Sequence, residues 1–317
     1  MKQHERDVVG RFFAQADDTG TTNAEKARTR QRIIQRVAST PKDKSFEVAE
    51  DPISPPPPGM PIGVVEVDGK LIGLGIHIFN EDVYPLQSFE ITLRDCDLVG
   101  DLDLSSCADL VFVDLYRNRI RSVDVADTPA LRILGLQSNQ IEHLDARGMP
   151  ACQGIDIGNN RLVDVDVSGN PELVELYVND NALSALDTTC NPKLKYLRCQ
   201  NNNLHELDVT ANPELRHLYA TGNPLASIKA TAPGSSGSLP LCLTTETGGC
   251  IGLSFNPIYN AQWKETGEWE QSYHAYPDPG HTFVGWFDTH GICLSTEQDW
   301  TDTYGTSRII TARFATG

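Results

Sequence analysis

Aspartates recur at Asp103, Asp124, Asp145, Asp166, Asp187 and Asp208, each 21 residues after the last. Carboxylates stacked about 5 Å apart on neighbouring coils repel one another and would welcome a cation such as Ca²⁺. Each step offers a single Asp with no GGxGxD context, however, and Asp readily accepts hydrogen bonds from its own turn backbone. The turn role is therefore expected, and no metal or cofactor is assigned. Cys242, Cys250, His281, His290 and Cys293 are zinc-ligand types. Their spacing matches no standard zinc site, and buried thiols or a Cys242–Cys250 hairpin disulfide account for them better. No Ser, Cys or Thr lies in a GxSxG or comparable nucleophile context. No catalytic residue is assigned, and the chain is read as a non-enzyme.

The element that positions these residues is a repeat. Asn118, Asn139, Asn160, Asn181, Asn202 and Asn223 keep the same 21-residue step. Leu110, Leu131, Cys152, Leu173, Leu194 and Leu215 open successive units, and apolar residues follow three and five places later, giving LxxLxLxxNxL. The LxL alternation makes a short strand with apolar side chains turned into a core. The Asn stands where the chain leaves the strand, and its amide can bond backbone of adjoining coils in a ladder. Pro129, Pro150, Pro171, Pro192 and Pro213 recur on the return side and forbid a regular helix there. An earlier, irregular coil begins near Ile91 and puts Cys96 in the Asn place. The fold expected is mostly β: a leucine-rich-repeat solenoid of about seven coils, with a parallel sheet on its concave face and a non-helical convex side.

With the core positions fixed, the outward positions of the strands can be read. Tyr177, Tyr196, Arg198, His217 and Tyr219 fall together on three adjacent coils, with Phe112 and Tyr116 on an earlier one. Tyr and Arg dominate interface energetics, so these seven are the expected partner-binding residues. Gly135, Gly154 and Gly158 leave a shallow dip beside them. The competing reading is that exposed strand aromatics only satisfy cross-strand packing.

The stretch LKYLRCQNNNLHELDVTANPELRHLYATGNPL, residues 194–225, resembles the bacterial internalin-type leucine-rich repeats, and within them the 21-residue subclass with LDVS/LDVT return strands. The resemblance spans roughly residues 90–229 and implies a surface-exposed, protein-binding molecule. It departs from that subclass in having only Cys199 at the cysteine place of the strand, in showing no helical cap upstream, and in showing neither a sorting nor an export signal. A second likeness, carried by LCLTTETGGCIGLSF, AYPDPGHTFVGWFD and SRIITARF, is to the divergent internalin-type B-repeat, a small β-module used as a spacer or adhesion part. Phe283, Trp286, Phe287 and Phe314 would supply its mini-core.

Upstream, residues 24–38 can form a basic amphipathic helix, read as a solvated N-terminal helix rather than a docking one, and residues 51–61 are a polyproline linker. Residues 64–78 read as a hairpin turning at Asp68-Gly69. The expected division is therefore 1–60, a basic segment with its Pro-rich linker; 61–89, a hairpin cap; 90–230, the solenoid; 231–238, a linker; and 239–317, the β-module.

Net charge is −17 and uneven: residues 1–44 carry ten basic against six acidic residues, residues 45–229 carry 13 against 28, and residues 230–317 carry three against nine. An acidic body repels phosphate backbones, so nucleic acid is excluded as the main ligand. No apolar stretch is long enough to span a bilayer, and no signal peptide is seen, which leaves the compartment unassigned. The function expected is binding of a protein or glycan partner by a monomer, possibly in surface adhesion. The alternatives are a structural spacer, or an enzyme or toxin with its activity in residues 1–89.

Overall fold

The computed structural model describes residues 10–27, 64–67, 70–74, 93–105, 107–231, 240–259, 265–302 and 309–317. Its strands are β1 (Val64–Val67), β2 (Lys70–Leu74), β3 (Val99–Asp103), β4 (Phe112–Asp114), β5 (Arg119–Asp124), β6 (Ile133–Gly135), β7 (His143–Asp145), β8 (Gly154–Asp156), β9 (Asp164–Asp166) and β10 (Glu175–Tyr177). There follow β11 (Tyr196–Arg198), β12 (Glu206–Val209), β13 (His217–Tyr219), β14 (Ser227–Thr231), β15 (Pro240–Thr245), β16 (Gly249–Tyr259), β17 (Glu265–Pro277), β18 (His281–Phe287), β19 (Cys293–Ser295), β20 (Asp299–Asp302) and β21 (Ile309–Thr316).

Six coils stack in register, because residues 21 apart pair directly: Phe112 with Ile133, Ile133 with Gly154, Gly154 with Glu175, Glu175 with Tyr196, and Tyr196 with His217. The expected seventh, irregular coil is described from Leu93 onward, and none of its described residues forms a strand of this sheet; β2 of the β1–β2 hairpin pairs with β4. The hairpin turn at Asp68-Gly69 and residues 75–92 lie outside the described residues, as does the basic helix expected over 24–38 beyond Ala27. The return side is made of turns and short parallel pairs, β3–β5, β7–β9 and β12–β14, and has no helix among the described residues.

The interior follows the repeat residue for residue. Leu110, Leu131, Cys152, Leu173 and Leu194 are each fully buried, as are Val113, Leu134, Ile155, Leu176 and Leu197. Each such aliphatic side chain stabilises the fold by roughly 1.5–3 kcal/mol. Burial pushes the Cys152 and Cys199 thiols up to about 12, so both behave as small apolar residues.

Two amide ladders run through the stack. In the first, Asn139 accepts from Ile120 N–H at 3.0 Å and donates to the carbonyls of Leu115 and Leu136, both at 2.9 Å. Asn118, Asn160, Asn181, Asn202 and Asn223 repeat the pattern. Cys96 stands one step earlier, its thiol donating to the Arg94 carbonyl. The residue before each ladder Asn is left-handed: Arg117, Ser138, Asn159, Asp180 and Asn201 have φ between 52° and 59°. The second ladder is on the return side, where Asn170, Asn191 and Asn212 are buried immediately before Pro171, Pro192 and Pro213. Asn191 donates to Val167 and Asn170 carbonyls at 3.0 and 2.9 Å, and Asn212 to Thr188 and Asn191 carbonyls at 2.9 Å each.

Both ends of the stack are closed. At the start, residues 10–27 lie against the open edge of β3 with Phe12, Phe13 and Ala27 in the common core. Asn23 Oδ1 accepts from Val99 N–H and its Nδ2 donates to Val99 O, both at 2.9 Å; Gln15 makes the same pair of bonds to Asp101 at 2.8 and 2.6 Å. Two side-chain amides thus take the place of a missing strand. Lys26 braces the clip with bonds to Asp17 at 2.9 Å and to the Asp97 carbonyl at 2.8 Å. At the other end β16 pairs with β13 and β15 with β14, so both solenoid sheets run on into the C-terminal strands. The core continues with them: Leu241, Leu243, Ile251, Leu253, Tyr273 and Trp286 belong to the same cluster. Phe287 lies beneath the Arg313 guanidinium at 4.2 Å instead of entering the mini-core expected for it. Cys242 and Cys250 are free thiols on different sheets, so the expected hairpin disulfide is absent.

Candidate binding face on the parallel sheet

Because side chains alternate along a strand, residues flanking each buried Leu, Ile or Val of β4 to β13 turn away from the core onto one face. The sheet register places Tyr177, Arg198 and Tyr219 side by side in one row, and Tyr196 and His217 side by side in the next. The Arg198 guanidinium lies between two rings, 4.8 Å from the Tyr177 centroid and 5.5 Å from that of Tyr219. Tyr196 and His217 stack at 4.5 Å with 12° between planes. The four rings are half-buried and Arg198 is exposed. These are the five residues expected to converge, and the structure brings them together.

The other two stand apart. Tyr116 sits three strands away on the β4 coil, beneath Arg94 at 5.2 Å and Arg117 at 5.7 Å. Phe112 is buried at 7% exposure, with Ile133 beside it at 2%, so neither offers itself to a partner as the alternation alone implied. Gly135 and Asp156 lie between the two groups in the row of Arg198.

Carboxylates underlie the aromatic centre. Asp156 is pushed up to about 6, chiefly by burial and further by the Glu175 carboxylate, against the Gly158 N–H and the cations Arg198 and Arg94. Burial also raises Glu175, offset by a hydrogen bond from Tyr177 and by Arg198. Asp114, 1% exposed, is held by Arg94 at 3.0 Å. The alternation of the LxL strands implies Asp114, Asp156 and Glu175 on this face, whereas Arg94 comes from a turn before β3 that the repeat pattern does not place. An acid at an outward position of an LxL strand was the available signal.

The aspartate row on the return side has a different task. Asp103, Asp166, Asp187 and Asp208 each accept from the N–H and the hydroxyl of the residue two places on, at 2.6–3.0 Å. These bonds hold all four carboxylates below their ordinary range. The residue types that suggested a cation site are engaged in their own turns.

No protein-family model matches the chain, and no curated protein matches it in sequence. Solved structures match parts of it. A leucine-rich-repeat protein of Leptospira interrogans shares 22% identity over 43% of this chain and 45% of that one, at a TM-score of 0.34. The functional domain of InlJ from Listeria monocytogenes, which includes a cysteine ladder, shares 16% identity over 78% of this chain and 62% of that one, at a TM-score of 0.37. This is a leucine-rich-repeat solenoid. That statement rests on the register and on the asparagine ladder. The chain spans less than two thirds of either structure.

Proposed function

We propose that this leucine-rich-repeat solenoid is a non-catalytic binding protein whose partner is a protein docked on the outward face of the parallel sheet, in the half centred on Arg198. The observation that carries this reading is the guanidinium held between Tyr177 and Tyr219 on three consecutive coils. An Arg immobilised by two rings has already lost side-chain freedom, so a partner contacts it at reduced entropic cost. Tyr196 and His217 add a flat platform of the type that anchors interfaces. The repeat supplies rigidity, since every rung of the sheet is tied to the next by backbone bonds and by an asparagine. Residues 10–27 and the β1–β2 hairpin serve as the N-terminal cap, and residues 240–317 as the C-terminal β-part. Surface adhesion as a monomer is the role this arrangement suits. The experiment is capture of a partner on the immobilised full chain: Tyr196→Ala and Arg198→Ala should each weaken it strongly, and return-side substitutions should leave it intact.

A further inference from the structure

We infer that the binding face does not end with the solenoid but continues across β16, β17 and β20, and that its occupant is a basic, extended segment of the partner protein; this rests on the sheet-face reading above.

The continuity is one of backbone. Cys199 N–H donates to Tyr219 O at 2.9 Å, and in the next rung Ala220 N–H donates to Leu253 O at 3.0 Å, although that strand now runs antiparallel. Directly paired residues point to the same side. Tyr219 therefore shares its row with Ser254, Ser272 and Thr301, and beside it Gly252, His274 and Asp299 form the adjacent row. Leu253, Phe255 and Tyr273, the alternating residues, are buried, which fixes the outward assignment. The junction is tight. A Cβ on Gly252 would meet Thr221 Cα at 3.1 Å, and Tyr276 takes a backbone hydrogen bond from Gly222. Solenoid and C-terminal strands thus present one surface.

Accessibility points the same way. The early part of the face is closed, with Phe112, Asp114, Ile133 and Glu175 all buried, whereas Arg198, Asp299 and Thr301 are exposed and Tyr219, Ser254, Ser272 and His274 between them are half-buried. The open area is centred on β11 to β20. Between β10 and β20 lie five inter-strand steps of about 4.8 Å, or about 24 Å, the length of about seven extended residues.

Charge selects the occupant. Glu270 and Asp299 stand exposed at one end, with Ser254 and Ser272 beside them, while half-buried Asp156 and buried Glu175 border the stretch at the other. The cation on this stretch, Arg198, is already engaged by two tyrosines and by the field of Asp156 and Glu175. His274 is bonded to Asp299 at 2.9 Å. On a chain of net charge −17, such a surface attracts a Lys- or Arg-bearing segment and repels an acidic one.

The test uses the full chain and two synthetic peptides of about twelve residues, one alternating Lys with Ser and Tyr, the other with Glu in place of Lys. Binding is read by fluorescence anisotropy at low and at physiological salt. The basic peptide should bind, should weaken as salt rises, and should weaken at least about fivefold on Glu270→Gln with Asp299→Asn and again on Tyr196→Ala. Glu172→Gln on the return side should change nothing, and unchanged thermal midpoints exclude misfolding. Loss with Tyr196→Ala but not with the Glu270/Asp299 pair would overturn the composite surface and leave the solenoid-face function standing. Equal binding of the acidic peptide, or equal weakening by Glu172→Gln, would overturn the basic occupant. Indifference to every substitution would overturn both readings.

Discussion

A buried amide in this protein is worth what its partners lack without it. Asn212 is satisfied at both ends, because the Thr188 hydroxyl donates to its Oδ1 at 2.7 Å. Asn191 and Asn170, one and two coils earlier, make the same donor bonds but have Oδ1 atoms buried with no partner. The residue that would supply the hydroxyl to Asn191 is Val167, which precedes it by 24 positions as Thr188 precedes Asn212. Val167→Thr, ordinarily a costly change at a site 1% exposed, should here be neutral or should stabilise by about 1 kcal/mol. Thr188→Val should cost about 1–2 kcal/mol by orphaning the Asn212 oxygen. Denaturant unfolding of the two variants checks the pair, and a substantial loss with Val167→Thr would contradict the ladder geometry. Asp156 gives a second expectation at this scale. Its folded pKa is raised to about 6 from 3.8, so the folded state holds the proton more tightly than the unfolded one. Its contribution is therefore favourable below about pH 4 and is lost as pH rises to about 6. Asp156→Asn should raise stability at pH 7 by up to about 2 kcal/mol, and the gain should vanish near pH 4. A gain independent of pH would argue against the burial of that carboxylate.

The N-terminal clip shows what an element contributes that no single bond does. Asn23 and Gln15 cover Val99 and Asp101, the alternate residues of β3 whose backbone groups face outward. Asn23→Ala should destabilise by about 1–3 kcal/mol and should accelerate amide exchange at Val99 and Asp101 ahead of the rest of the solenoid. Uniform exchange along the chain would show that the clip does not guard that edge. This element was not legible in the sequence. The Thr22-Asn-Ala-Glu25 capping box was present, and Thr22 and Glu25 do bond reciprocally, but the groups that Asn23 and Gln15 satisfy lie 76 and 86 residues away. The solenoid, by contrast, was legible because its partners are always 21 residues off, so that spacing in the chain and neighbourhood in space coincide. The second ladder has no uniform signature: the Pro step is regular, but the buried residue before each Pro changes type, from Thr128 and Met149 to Asn170. On the outward face of the parallel sheet, alternation gives the direction of Tyr177, Tyr196, Arg198, His217 and Tyr219. It could not say that Phe112 is covered, because cover comes from outside the strand's own periodicity.

At the scale of the molecule, the stack acts as one body with a continuous core from Phe12 to Ala312. Stability is built rung by rung, so substitutions on the outward face leave the core untouched and should shift unfolding by roughly half a kcal/mol or less. That separation makes the central claim testable by a single comparison. The dissociation constant of the captured partner should be measured for the wild type, Tyr196→Ala and Arg198→Ala, with Glu172→Ala as a return-side control whose ion pair to Lys193 is exposed. Central interface aromatics and arginines typically contribute about 2 kcal/mol or more, so each face variant should lose about thirtyfold in affinity while Glu172→Ala matches the wild type. Wild-type affinity in both Tyr196→Ala and Arg198→Ala would contradict the assignment of the parallel-sheet face as the binding surface.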